Sequence, residues 1–212
     1  MGEVGKALFD ILDDAYTGEI DSLDVGGLQH GTYDILHICF PYSDKFIESV
    51  KTYQSQYEPK YTVIHSTVPV GTSRACGALH SPIRGLHPDL TEGIRTFPKF
   101  IGGDRASLVA DYFRRAGLKV ILCDRQETTE LGKLLDTEYY RACIDFTKKA
   151  KELADKHGVP FHEAYTLFNM TYNEGYTELG HSEYVRPVLQ PIMTEIGGHC
   201  VMPNKILIEK ES

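Results

Sequence analysis

Basic residues are scarce in this sequence: 22 Lys and Arg stand against 30 Asp and Glu, for a formal net charge of −8. That balance argues against nucleic acid as a partner, because phosphate contacts need a clustered basic surface. It leaves room for an anionic small molecule, since a few local Arg or Lys residues outweigh the global field. Long apolar runs are missing too. None approaches the roughly 20 residues needed to span a bilayer, and Glu3, Asp10, Asp13 and Asp14 interrupt any signal-peptide pattern. No membrane partner is expected. Cysteine is sparse: Cys39, Cys76, Cys123, Cys143 and Cys200 form an odd set of five without C-x-x-C spacing. Free thiols in a reducing, cytoplasmic protein are the simplest reading, and no metal site is expected.

What is present reads as an ordinary globular chain. Hydrophobic residues at 42% and charged residues at 25% leave no case for disorder. The 212 residues suffice for one large domain or two small ones. Residues 33–41 (YDILHICFP), 60–66 (KYTVIHS) and 119–124 (KVILCD) are short apolar runs with strand character. Helix-like stretches separate them. Residues 44–57 carry Phe46, Ile47, Val50 and Tyr53 on one face, and residues 105–116 carry Leu108, Val109, Tyr112 and Phe113 before a stop at Gly117. Strands alternating with helices imply parallel pairing by right-handed crossovers. The expected fold is α/β: a Rossmann-like, doubly wound parallel sheet lacking its first strand, over residues 1–125.

From Gln126 the pattern changes. Leu131, Leu134, Leu135, Tyr139, Ala142, Phe146, Ala150 and Leu153 repeat near the helical period as far as Gly158. Pro160 suits the first turn of a following helix that runs toward Met170. Residues 126–212 are therefore expected to form an all-helical domain, with the long helix as its spine or as a dimer interface.

The N-terminus reads M-G-E-V-G and runs straight into an amphipathic helix. A dinucleotide fingerprint places glycines between a strand and a helix, so that backbone N–H groups meet a pyrophosphate at the helix start. Gly2 and Gly5, with Glu3 and Val4 between them, supply the second and third glycines of that spacing. Asp21 falls near the expected position of the ribose-binding acid. The first glycine and its strand would then lie upstream of Met1. Either the gene model is truncated or the chain fills the gap another way, for example by exchange in a dimer. The plain alternative is a flexible terminus before an ordinary helix.

Three further segments carry chemistry. Residues 65–72 (HSTVPVGT) follow a strand and offer Ser66 and Thr67 hydroxyls and backbone N–H groups at the sheet's binding edge. Glu130, Lys133 and Thr137 recur at helical spacing, with Lys133 and Thr137 one turn apart on one face. A lysine so placed serves proton transfer once desolvation lowers its pKa. Residues 196–204 (IGGHCVMPN) put two glycines, which permit close backbone approach, before a thiol, the strongest ordinary nucleophile.

Together these segments resemble the UDP-glucose/GDP-mannose dehydrogenase family of the 6-phosphogluconate dehydrogenase-like superfamily. Their likenesses are to its S-T-V-P-x-G-T loop, its E-x-x-K-x-x-x-N helix and its G-G-x-C-x-P-K-D loop. The resemblance implies NAD or NADP as cofactor, held by Gly2, Glu3, Val4, Gly5, Asp21, Pro41, Tyr42, Ser66 and Thr67. It implies Lys133, Cys200, Thr67 and Thr137 as catalytic groups, with Cys200 holding an aldehyde as a thiohemiacetal. His87, Arg186, His199 and Asn204 are the expected substrate contacts. Of these, His87 lies in a Gly-Leu-His-Pro turn similar to that of prephenate-dehydrogenase-like relatives. Arg186 suits bidentate anion binding or a structural salt bridge.

The departures are specific. Thr137 replaces the Asn, one residue is inserted before Pro203, Asn204 replaces the Lys-Asp, and Ile83 stands where a water-activating Glu is found. The chain ends soon after Cys200, so the family's C-terminal nucleotide-sugar domain has no counterpart. The sequence thus points to an NAD(P)-dependent dehydrogenase-like homodimer acting on a small polar alcohol or aldehyde such as a sugar derivative. Its ligand is expected where the strand ends meet the second domain. The alternative is a non-catalytic or truncated relative that binds a ligand or partner through the same cleft.

Overall fold

The computed structural model describes residues 2–17, 19–24, 32–85, 89–191, 204 and 206–208. The chain divides into two compact units, residues 1–134 and residues 135–209.

The first unit is built on a five-stranded sheet: β1 (Ile35–Ile38), β2 (Tyr61–Ile64), β3 (Leu79–His80), β4 (Lys99–Gly102) and β5 (Val120–Cys123). The strands lie side by side in chain order. Three of the four pairings are parallel, and β3–β4, joined at His80 and Gly102, is antiparallel. The α/β sheet is as expected, but it is mostly rather than wholly parallel. A parallel return needs a crossover, usually carried by a helix. The one helix between β3 and β4 among the described residues, α4 (Leu90–Thr96), has only seven residues.

Helices cover both faces. On one side α1 (Glu3–Ala15), α4 and α5 (Ala106–Arg115) share a core with Leu8, Ile11, Val63, Ile101, Val109 and Phe113. On the other, α2 (Phe46–Tyr57) and the single turn α3 (Thr72–Ala75) pack with Ile38, Phe46, Val50, Ile64 and Val68. Neighbours Val63 and Ile64 therefore serve opposite cores, as the strand period of two requires. Each fully buried side chain of this size contributes about 1.5–3 kcal/mol relative to exposure.

A 32-residue helix, α6 (Gln126–His157), leaves the first unit and continues into the second. It stops at Gly158, whose φ of +63° suits glycine. The chain then winds as a π-helix over His162–Leu167 and continues as α7 (Phe168–Glu178). The second unit is loosely covered. Among the described residues α7 buries no side chain, and Phe146, Phe168 and Met170 are exposed. An apolar groove of about 600 Å³ is lined there by Phe146, Leu153, Tyr165, Phe168 and Tyr172. Among the described residues, no helix is long and apolar enough to cross a membrane, and the four described cysteines are free thiols.

Candidate functional site

The C-terminal ends of adjacent parallel strands open toward a common edge, where ligands of α/β sheets bind. Here β1 ends into Phe40, Pro41 and Tyr42, and β2 into Ser66 and Thr67. The Ser66 hydroxyl donates to the Phe40 carbonyl at 2.5 Å and ties the two loops together. Ser66 thus spends its hydrogen inside the protein rather than presenting it to a ligand. Thr67 is half-buried, and its hydroxyl makes no hydrogen bond among the described residues. Pro41 is exposed and Tyr42 half-buried, with the Tyr42 ring 5.5 Å from that of Phe46.

The loop after Thr67 is fastened to the start of α6. Glu130, with no exposed surface, accepts the Gly71 N–H at 2.6 Å and the Ser73 N–H at 2.7 Å. Those backbone donors, which the sequence suggests for a ligand, are filled by the protein's own carboxylate. His80 supplies a second fastening. Its Nε2 lies 3.1 Å from the Ser66 carbonyl and must donate, leaving Nδ1 to accept from the Thr129 hydroxyl at 2.8 Å. Burial, only partly opposed by the bond to Ser66, pushes the His80 imidazole down to about 4. Close approach of α6 depends on Gly102, where a Cβ would lie 2.4 Å from the Arg125 carbonyl oxygen. Lys133, half-buried, follows Glu130 by one turn.

Behind the loop, on the α5 face of the sheet, lies a basic cluster that sequence reasoning missed. His65 Nδ1 donates to the Ser81 carbonyl at 2.8 Å, so its Nε2 accepts from His37 Nδ1 at 3.0 Å. That leaves the His37 Nε2 buried without a partner among the described residues. Lys99, 4% exposed, places Nζ 3.2 Å from both the Ser81 carbonyl and His65 Nδ1, and 5.1 Å from the centre of the Phe113 ring. Burial pushes the Lys99 amine down to about 7. Burial, then the neighbouring Lys99, pushes His37 to about 3 and holds His65 well below the usual histidine range. Burial also raises the nearby Cys39 thiol to about 12, so it stays protonated at neutral pH. The one sequence signal was a histidine inside each of two strand-like apolar runs.

The remaining residues singled out from the sequence are placed as follows. Gly2 is the N-cap of α1 in extended backbone, brings no capping side chain of its own, and a Cβ there would meet nothing within 4 Å. Glu3, Val4 and Gly5 form its first turn. Asp21 accepts the Tyr33 hydroxyl at 2.5 Å. In the second unit Asn204 is buried and its amide donates to the Thr137 hydroxyl at 3.3 Å, which brings two of the expected site residues together. Arg186 places its guanidinium carbon over Tyr172, 3.6 Å from the ring centre, and its backbone N–H and carbonyl are both held by the Asn173 side chain. Ile83 belongs to the first core. His87, His199 and Cys200 lie outside the described residues.

No family model and no curated protein sequence matches this chain. Solved structures do. UDP-D-ManNAc dehydrogenase from Pyrococcus horikoshii matches at a TM-score of 0.63 and 18% identity, over 82% of this chain and 45% of that one. NDP-N-acetyl-D-galactosaminuronic acid dehydrogenase from Methanosarcina mazei Go1 matches at 0.63 and 17%, over 85% and 43%. A 3-hydroxyisobutyrate dehydrogenase from Mycobacterium tuberculosis matches at 0.58 and 14%, over 84% and 66%. This chain spans less than half the length of the two nucleotide-sugar enzymes. At such identities the likeness is one of fold, and the fold of this chain is that of these dehydrogenases.

Proposed function

We propose that the chain holds a nicotinamide cofactor, NAD or NADP, at the C-terminal ends of β1 and β2, and serves oxidation and reduction of a small polar alcohol or aldehyde. The observation that carries this reading is the joined edge, with the loops after β1 and β2 locked by Ser66 on Phe40 and fastened to the helix that bears Lys133. The residues present fit a dinucleotide. The N-cap of α1 is Gly2, which brings no capping side chain of its own and leaves space there, which suits a pyrophosphate at a helix N-terminus. A bound nicotinamide supplies the hydride acceptor or donor.

The chain's own residues would do the rest. The Thr67 hydroxyl, uncommitted among the described residues, orients the substrate oxygen. Lys133 takes the hydroxyl proton as the alcohol becomes a carbonyl, and returns it in the reverse direction. The identity of the sugar or hydroxy acid follows from groups beyond these. The same reading has two copies of the chain associating through the second unit, where α7 buries none of its own side chains. Sedimentation showing only monomer would overturn that part.

The test begins with calorimetric titration of the chain with NADH and NADPH. Micromolar binding of either supports the cofactor site, and no binding of both removes it. Once a substrate is found, Lys133→Met should reduce turnover at least a hundredfold with the melting temperature unchanged. Full activity in that variant would end the role given to Lys133.

A further inference from the structure

Two consecutive residues of α6 hold the two ends of one loop. Thr129 reaches its start through His80, whose Nε2 donates to the Ser66 carbonyl. Glu130 reaches its end directly, taking the N–H groups of Gly71 and Ser73 at 2.6 and 2.7 Å. All three holding side chains are buried, and Glu130 and His80 have no exposed surface at all. Between the two fastenings lies Thr67. One turn beyond Glu130 on the same helix lies Lys133.

A carboxylate is the one side chain that fits this seat. Both backbone groups donate, so both oxygens must accept. An amide of the same shape offers a single oxygen and turns its NH2 against the second N–H. The cost of an unanswered charge in the interior means that such a group is kept only where both its oxygens are used.

We propose that Glu130 is a positioning residue: it sets the loop that carries Ser66 and Thr67 in register with Lys133, so that cofactor affinity depends on a carboxylate that never touches the cofactor. This rests on the cofactor reading given above. It extends that reading by placing the control of the loop in α6 rather than in the loop's own sequence.

The experiment compares wild type, Glu130→Gln and Glu130→Asp. NADH is titrated calorimetrically into each, and hydrogen exchange is measured at the Gly71 and Ser73 amides without ligand. Melting temperatures confirm that each variant is folded at the titration temperature. Glu130→Gln should speed exchange at both amides at least tenfold and weaken NADH at least tenfold. Glu130→Asp keeps two acceptor oxygens on a shorter stem and should recover part of both losses. If Glu130→Gln does not fold, Glu130→Asp decides, with a threefold or larger loss of NADH affinity expected. A purely structural role would lower the melting temperature yet leave the NADH affinity of the folded variant within twofold of wild type, and that result overturns the proposal. A wild-type chain that does not bind NADH overturns the cofactor reading alone. The exchange rates then decide the clamp by themselves: faster exchange in Glu130→Gln supports it, and unchanged exchange overturns it.

Discussion

Replacing Lys99 by Met should stabilise the protein at pH 7 and do so less at pH 9. The amine is 4% exposed and has no carboxylate partner among its hydrogen bonds; it donates to the Ser81 carbonyl, while the adjacent His65 Nδ1 carries a hydrogen of its own. Its folded pKa of about 7 lies below the ordinary 10.5. A base depressed in this way contributes stability that is complete above 10.5 and lost as pH falls toward 7. The loss amounts to about 4 kcal/mol at pH 7 and about 2 kcal/mol at pH 9. Methionine matches the stem and carries no charge. It gives up a hydrogen bond worth about 1 kcal/mol; the contact over Phe113 belongs to the charged amine, is already contained in its depressed pKa, and is gone by pH 9. The Ser81 carbonyl stays satisfied, because His65 Nδ1 still donates to it at 2.8 Å. The net gain is about 3 kcal/mol at pH 7 and about 1 kcal/mol at pH 9. Urea unfolding of both proteins at the two pH values reads it directly. Stopping at pH 9 also limits the contribution of the Cys39 thiol, which is raised to about 12 and penalises the folded state increasingly above pH 9. Lys99→Met less stable than wild type at pH 7, or equally favourable at both pH values, would refute the reasoning.

Other perturbations test the rest of the first unit. His80, held near 4 against an ordinary 6.5, contributes stability that is complete above 6.5 and lost as pH falls toward 4. Urea midpoints measured from pH 7 to pH 4.5 should therefore drop, with about 2 kcal/mol of stability lost through His80 alone, and a flat profile would contradict the burial assigned to it. Gly102→Ala puts a Cβ 2.4 Å from the Arg125 carbonyl; a loss of about 1–3 kcal/mol is expected, and an unchanged melting temperature would mean that α6 sits further from β4. Ser66→Ala removes the donor to Phe40 and should cost about 1 kcal/mol, together with a measurable loss of NADH affinity, which an unaltered titration would exclude.

Much of the architecture was legible because it rests on period. The long helix was readable from leucines and aromatics at helical spacing and from the stop at Gly158, and it runs Gln126–His157 as that spacing implied. Three strands were readable as apolar runs between helices. The other two were not. The two residues of β3 are too few to show alternation, and β4 lies between Pro98 and the pair Gly102–Gly103, where turn residues mask a strand. The π-helix at His162–Leu167 leaves no trace in a pattern read at 3.6 residues per turn. The site was legible as segments rather than as contacts. The loop 65–72 and the helix start at Glu130 were both recognised, yet spacing along the chain does not reveal that Glu130 lies against Gly71 and Ser73. His37 and His65 carried one local mark of burial, a place inside an apolar run, whereas Lys99 carried none.

The one reversed pairing in the sheet accounts for both the buried lysine and the seat of α6. Where β3 stops after two residues, the ladder has no regular continuation, and Ser81 must satisfy its polar groups another way. Its N–H donates to the Ile64 carbonyl at 2.8 Å, its hydroxyl donates to Phe100 at 2.7 Å, and its carbonyl receives His65 and Lys99. Side chains thus replace backbone partners at the reversal, and the desolvated amine of Lys99 is one consequence. On the opposite face the same reversal sets Gly102 against His80. The absence of a side chain at Gly102 lets the Arg125 carbonyl come close, and that approach brings Thr129 onto His80 and Glu130 onto the loop. Lys99 and the seat of α6 thus lie on the two faces beside the one antiparallel bridge of the sheet, His80 with Gly102.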